Sequence, residues 1–299
     1  MKNFIVRAIT GILFVAIVIT CFLKGISMVA LFALVTGMTI WEFTGLMNDR
    51  NGVKVNRFIS TAAGVYLFVA MAGFCASITP SAVFIPYLLT IVYLFISELY
   101  LKNEDAINDW AYTMMAQMYI ALPFSCLNVL AFRQMPTGMT ESGTESIMTV
   151  YGMILPLSIF VFLWINDTGA YLSGSLFGKH KLFPRVSPGK SWEGSIGGGI
   201  LVLAVSQILA LIDHSGILAT YGLCDTMTGL TNLQWAGLGL VVVFFGTWGD
   251  LVESLLKRTL GVKDSGTILP GHGGMLDRFD SSLMAIPASV VYIYTLSIC

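Results

Sequence analysis

The sequence predicts an all-α, polytopic integral membrane protein with about nine transmembrane helices and a cytoplasmic N-terminus. Three observations predict it. Of the 299 residues, 56% are hydrophobic and only 11% are charged, where a soluble domain carries about 25% charged residues. Mean hydropathy is +0.80. Apolar runs long enough for the roughly 30 Å hydrocarbon core, about 20 residues each, recur along the whole chain.

The predicted spans are 4–23, 26–47, 58–79, 81–101, 110–132, 148–172, 196–219, 234–256 and 282–298. The first run is too long and uninterrupted for a signal peptide, and no small-residue cleavage site follows it, so it counts as a span. Pro86, Pro123, Pro156 and Pro287 fall inside spans, where neighbouring helices can satisfy the freed backbone groups. A further observation is the placing of the basic residues. With the N-terminus inside, 14 of the 16 Lys and Arg fall in cytoplasmic segments, leaving only Lys24 and Arg133 outside. A wrong span count would scramble that alternation.

Composition also excludes several classes. A net charge of −1 offers no field for a polyanionic partner such as nucleic acid. Cys21, Cys75, Cys126, Cys224 and Cys299 have no metal-site or CxxC spacing and read as small buried hydrophobes. The polar stretch 133–147 divides the chain into a five-helix region, 1–147, and a four-helix region with long cytoplasmic loops, 148–299. The second holds nearly all the chemically interesting polar residues, so it is the expected catalytic region.

Ionisable groups within a span are costly and mark function by default. Asp250 lies in the eighth span; seven residues at about 1.5 Å rise put it roughly 10 Å below Lys257 at the helix end. Ser254 and Lys257 follow at i+4 and i+7, so the three share one helical face, with Arg258 at its edge. Such a stripe suits a metal ion and a phosphate. The plainer alternative is a Glu253–Lys257 pair, with Asp250 satisfied by a neighbouring helix.

The next loop runs from Lys263 through Gly271-His272-Gly273-Gly274 to Asp277-Arg278-Phe279-Asp280. Its glycines let a backbone approach a phosphate, and the following helix turns its positive end the same way. Asp277 and Asp280 stand one turn apart, and paired carboxylates favour Mg²⁺ over zinc. A capping aspartate after a glycine turn would read the same.

An earlier cytoplasmic loop offers Asn166-Asp167, then Ser187, Lys190 and Ser191. Asp167 is near enough to its helix end to share a cavity with Asp250. Ser187, Lys190 and Ser191 suit phosphate oxygens, although basic loop residues also anchor on anionic headgroups. Asn166-Asp167 would equally serve as a polar clamp between helices. Glu42 and Glu98, near cytoplasmic helix ends, read as interfacial contacts, and Asp213-His214 as a solvated helix end. Gly197-Gly198-Gly199 reads as close helix packing, since no strand precedes it.

From Ser254 to Asp280 the chain resembles the phosphatidate cytidylyltransferases, or CDP-diacylglycerol synthases. Ser254-Leu255-Leu256-Lys257-Arg258, Lys263-Asp264 and His272-Gly273-Gly274-Met275-Leu276-Asp277-Arg278-Phe279-Asp280 fit that family's C-terminal signature at every specified position. Asn166 to Tyr171 and Ser187 to Gly194 resemble it too, with Gly189 where the family often has Lys or Asn. The resemblance covers roughly residues 150–285.

It implies that CTP and phosphatidic acid give CDP-diacylglycerol and pyrophosphate, as a step of phospholipid biosynthesis. It implies divalent-metal dependence, with Asp250 and Asp277 as the metal ligands; Mg²⁺ is the expected ion, and the positions of Asp280 and Asp167 make them expected supporting or additional ligands. It leaves room for a second, monovalent cation such as K⁺. Catalytic work is expected of Asp250, Asp277, Lys257 and Arg258. Substrate binding is expected of Ser187, Lys190, Ser191, Ser254, Lys263, His272 and Arg278. A homodimer in the bacterial inner membrane is expected, with its active site facing the cytoplasm.

Two other classes fit parts of the pattern. A CTP-dependent lipid-alcohol kinase shares some of the C-terminal motif. An ion-coupled transporter would also bury carboxylates, but nearer the bilayer midplane and with internal repeats. CDP-alcohol phosphotransferases fit less well, since their DG-x-x-AR motif is absent.

Overall fold

The computed structural model describes residues 2–101, 103–139, 145–220, 228–266, 268 and 273–298. The fold is all-α, as the composition predicts. Helix α1 spans Lys2–Phe22, α2 Gly25–Asn48, α3 Arg57–Cys75, α4 Ile85–Leu101, α5 Ala106–Ala116, α6 Leu122–Ala131, α7 Ile154–Phe177, α8 Trp192–Ser215, α9 Ile217–Thr220, α10 Asn232–Leu260 and α11 Leu276–Ile298. A single π turn, Gln117–Ala121, joins α5 to α6, so the two run as one crossing. Among the described residues, eight segments are long and apolar enough to cross a membrane. The first predicted run is helical as well, as α1, with a shorter apolar stretch at Ile9–Phe22.

Two small antiparallel hairpins interrupt the helices. Strands β1, Phe132–Met139, and β2, Glu145–Tyr151, pair with a register shift between Pro136 and Gly138. The span predicted from Met148 therefore begins later, at Ile154. The run Met148-Thr149-Val150-Tyr151 is apolar and β-branched, and hydropathy alone does not separate such a strand from a helix. Strands β3, Lys181–Phe183, and β4, Ser187–Ser191, form the second hairpin.

The chain divides into two compact units. The first comprises residues 1–153 and the returning segment 265–276. Its core is aromatic: Phe22, Phe32 and Phe124 are fully buried, with ring centroids 5.5 and 6.1 Å apart in sequence order. Several polar groups inside it are paired, which offsets the cost of burial in an apolar medium. Gln117 in the π turn donates to the Ser60 carbonyl at 2.9 Å, and the wholly buried Asp109 accepts from the Lys54 N–H at 2.6 Å. Glu98, expected at an interface, is instead buried and accepts from the Asn103 amide at 2.9 Å.

The second unit comprises residues 154–264 and 277–299. Trp235 and Phe162 meet edge to face in its core, as do Phe160 and Phe279. Helices α7 and α8 approach through Gly169, Gly194 and Gly198, so the glycine run does serve close packing. A Cβ added to Gly198 would stand 2.6 Å from the Asn166 side-chain oxygen and 2.7 Å from its carbonyl. Alanine normally gains about 0.5–1 kcal/mol over glycine inside a helix, but overpacking costs about 1–3 kcal/mol. The backbone oxygen cannot swing aside, so the clash wins. Gly198→Ala is expected to lower the thermal unfolding midpoint of the purified protein, and an unchanged or raised midpoint would contradict this packing.

Asp213, read from sequence as solvated, is buried. It accepts from the Thr228 N–H at 2.9 Å, from the Thr228 hydroxyl and from the Trp235 indole N–H at 3.4 Å. Its neighbour His214 is exposed, with Nε2 2.7 Å from the Leu230 carbonyl oxygen.

Candidate active site

The site belongs to the second unit and is assembled from α7, the β3–β4 hairpin, α10 and α11. Gly249 lets two of these helices touch: a Cβ there would lie 2.9 Å from the Asp280 carbonyl oxygen and 3.1 Å from the Ser281 Cα. Asp250 on α10 and Asp280 on α11 flank this contact. The hairpin supplies the cation. Its base is closed by Glu193, which accepts from the His180 backbone N–H at 3.2 Å, with the His180 Nδ1 2.5 Å from the same carboxylate. Phe183 packs edge to face on Trp248, two residues before Asp250, with centroids 5.6 Å apart. This anchoring brings the Lys190 Nζ to 2.5 Å from Asp250 Oδ2, while Ser254 donates its hydroxyl to Asp250 Oδ1 at 3.1 Å.

Asp167 and Asp280 both lie in the electrostatic field of Asp250 and Lys190, and Arg278 acts on Asp167. Asp280 accepts from the Ser281 N–H at 2.5 Å. Asp250 thus pairs directly with Lys190, and Asp167 and Asp280 feel the charges of that pair. Like charges so arranged repel unless a cation or a phosphate-bound ion offsets them.

A second centre lies further along α10. The Lys257 Nζ stands 2.6 Å from Glu253 and 2.7 Å from Asp277. The two centres differ in access. Side-chain exposure is 25% and 28% for Lys190 and Asp250, but 15%, 0% and 6% for Lys257, Glu253 and Asp277. The first is the more open to an incoming anion; the second is the more shielded.

Several sequence-predicted residues therefore converge and others do not. Lys190 and Ser254 both contact Asp250 directly; Asp167 and Asp280 interact with Asp250 and Lys190 electrostatically, and Arg278 with Asp167. Lys257 and Asp277 pair with each other. Ser191 is buried as the N-cap of α8 and accepts from the Gly194 N–H at 3.2 Å. Ser187 pairs with Phe183 across the hairpin. Arg258, Lys263 and Arg278 are exposed. His272 lies outside the described residues.

The donors fit a hard divalent cation, being carboxylate and hydroxyl oxygens throughout. Among the described residues, no three of His, Cys, Asp or Glu form a ready-made cage. Magnesium sites of that kind take one or two carboxylates from the protein and further oxygens from substrate phosphates.

One residue that sequence reasoning undervalued is Glu42. In the first unit it is buried, with 7% exposure, and it accepts from the Met275 N–H at 2.8 Å, the Leu276 N–H at 3.4 Å and the Ser265 hydroxyl. The N–H groups expected to face a substrate phosphate are thus given to a carboxylate of the protein. The available signal was the same as for Asp250: an acid within an apolar run.

Fold and composition define a polytopic, all-helical membrane protein. Residues 5–296 match the cytidylyltransferase family. The chain belongs to that family and is a nucleotidyltransferase. It is 33% identical to a phosphatidate cytidylyltransferase of Haemophilus influenzae over 270 residues, 86% of this chain and 87% of the relative. It is also 33% identical to one of Staphylococcus aureus over 284 residues, 94% of this chain and 96% of the relative. A third, from Staphylococcus saprophyticus, is 38% identical over 186 residues, 62% of this chain and 60% of the relative.

Proposed function

We propose that this chain converts CTP and phosphatidic acid into CDP-diacylglycerol and pyrophosphate, a step of phospholipid biosynthesis. The observation that carries the reading is the whole-length likeness to relatives named for that activity. The open Asp250–Lys190 centre supports it, because a membrane enzyme acting on two anions needs cations and hard-metal ligands at one place. The chemistry is assigned to residues 148–299.

In this reaction a phosphate oxygen of phosphatidate attacks the α-phosphorus of CTP. A new P–O–P bond forms, the bond to the β-phosphate's bridging oxygen breaks, and pyrophosphate leaves with the electron pair. The nucleophile is already anionic, so positioning and charge neutralisation dominate over base catalysis. Lys190 is the cation at the open centre, and Ser254 orients the Asp250 carboxylate against it. Asp250 and Asp277 are the proposed Mg²⁺ ligands, with Asp280 and Asp167 beside them. A bound Mg²⁺ would neutralise phosphate oxygens and favour departure of pyrophosphate. Lys257 holds the Asp277 carboxylate in place. The exposed Arg258, Lys263 and Arg278, with His272 and Ser187, are assigned to gathering the two phosphate groups; Ser191 shapes the loop through its cap.

We further place the protein in the bacterial inner membrane as a homodimer, with the site on the cytoplasmic face. The 14-to-2 split of basic residues supports that orientation. A monovalent cation such as K⁺ is a further candidate ligand.

One experiment tests both reaction and sidedness. Vesicles of known orientation are given phosphatidate, or in a parallel arm a lipid alcohol such as diacylglycerol, with Mg²⁺ and CTP labelled at the α or the γ phosphate. The α label is expected in the lipid and the γ label in aqueous pyrophosphate, only where the cytoplasmic face is outward. The γ label in lipid, with α label left as CDP, would establish the kinase instead. Turnover from the opposite face would reverse the topology.

A further inference from the structure

The glycine-rich segment before α11 is shaped around a side chain from a distant helix. Glu42 lies on α2, yet its Oε2 accepts from the Met275 N–H and its Oε1 from the Leu276 N–H and the Ser265 hydroxyl. The segment has no side chain where Glu42 sits. A Cβ on Gly266 would stand 2.8 Å from the Glu42 carboxyl carbon, and one on Gly274 would collide with Oε1. Gly273 adopts a φ of 83°, which turns the chain into this arrangement at a position where other residues are strained. A carboxylate at a helix start also satisfies N–H groups that have no partner within the helix and complements its dipole.

A buried carboxylate is expensive unless hydrogen bonds satisfy it. Here several donors do so, all from one short segment. Leu276 opens α11, and the next residues are Asp277 and Arg278. We propose that Glu42 is a positioning residue for the reaction: by binding Ser265, Met275 and Leu276 it sets where α11 begins, and so where Asp277 starts. This rests on the cytidylyl-transfer reading of the site. It assigns the N-terminal helices a task in catalysis beyond anchoring the chain.

The test uses the full-length purified protein with Glu42→Gln and Glu42→Ala. Turnover of CTP and phosphatidate is measured alongside hydrogen exchange of the Met275 and Leu276 amides. A misplacement on the ångström scale costs about 10²-fold in rate. Glu42→Ala is therefore expected to lose about that much in kcat with both KM values nearly unchanged, and Glu42→Gln, which keeps one acceptor, to lose less. The two amides are expected to exchange faster, most in Glu42→Ala. A folded Glu42→Ala protein with native kcat would overturn the proposal, as would unchanged exchange in either variant. So would a raised KM at native kcat, which marks a substrate contact instead. If the alanine variant does not fold, the glutamine variant decides by the same two readings. If the native protein forms no CDP-lipid at all, the functional reading fails, and the exchange rates still decide whether Glu42 holds the segment.

Discussion

Asp250→Asn protein is expected to insert and unfold like the native protein yet to work about 10²–10³-fold more slowly, the usual cost of one lost transition-state electrostatic contact. Asparagine keeps the shape and can still accept the Ser254 hydroxyl, so the neighbourhood of α10 is preserved. What disappears is the charge opposite Lys190 and its contribution to holding a divalent ion. Because Asp250 is part-exposed rather than sealed, its removal leaves no buried ion stranded, and the folding cost is small. The effect should therefore appear in kcat with the melting temperature nearly constant. Activity within a few-fold of native would remove Asp250 from the chemistry.

Lys257→Met carries the opposite signature. Methionine fills the space of the lysine stem, but Glu253 and Asp277 then face each other without their cation, and both are almost fully buried. Breaking a buried pair by deleting one partner costs about 3–5 kcal/mol. A clear fall in melting temperature is expected together with loss of turnover. Adding Glu253→Gln removes one of the two stranded charges and should recover part of the stability without recovering activity, since Asp277 still lacks its anchor. A single variant as stable as the native protein would show that this ion pair is not what holds Asp277. Recovery of activity in the double variant would remove Lys257 from the reaction.

The two variants separate residues that stand on one stripe of α10. The i, i+4 spacing brought Asp250 and Ser254 into contact as expected, whereas Lys257 at i+7 forms the pair with Glu253 that the plainer alternative named, and reaches Asp277 as well. The spacing did not say what lies opposite that face. Asp250 takes its cation from Lys190, far back in the chain, and Lys257 serves Asp277. Asp213 shows the same limit. Its position at a helix end suggested solvent, but Thr228 and Trp235 return to enclose it. The pairing of Phe132–Met139 with Glu145–Tyr151 escaped for a different reason, since the end of the second strand, from Met148, runs without a charge into the following span and a window of mean hydropathy merged the two.

What the sequence determined by itself is whatever depends on composition and short-range period: an all-helical membrane protein, the approximate spans, the family signature from Ser254 to Asp280, and the acids worth watching. Tertiary structure alone decided the partnerships. It split the acids into an open centre at Asp250 and a closed one at Lys257, and it filled the expected anion-binding turn before α11 with Glu42. The physical reason is range. Apolar burial and helical period are written residue by residue, whereas a charge buried in an apolar medium must find its partner through space, wherever the packing of helices brings one.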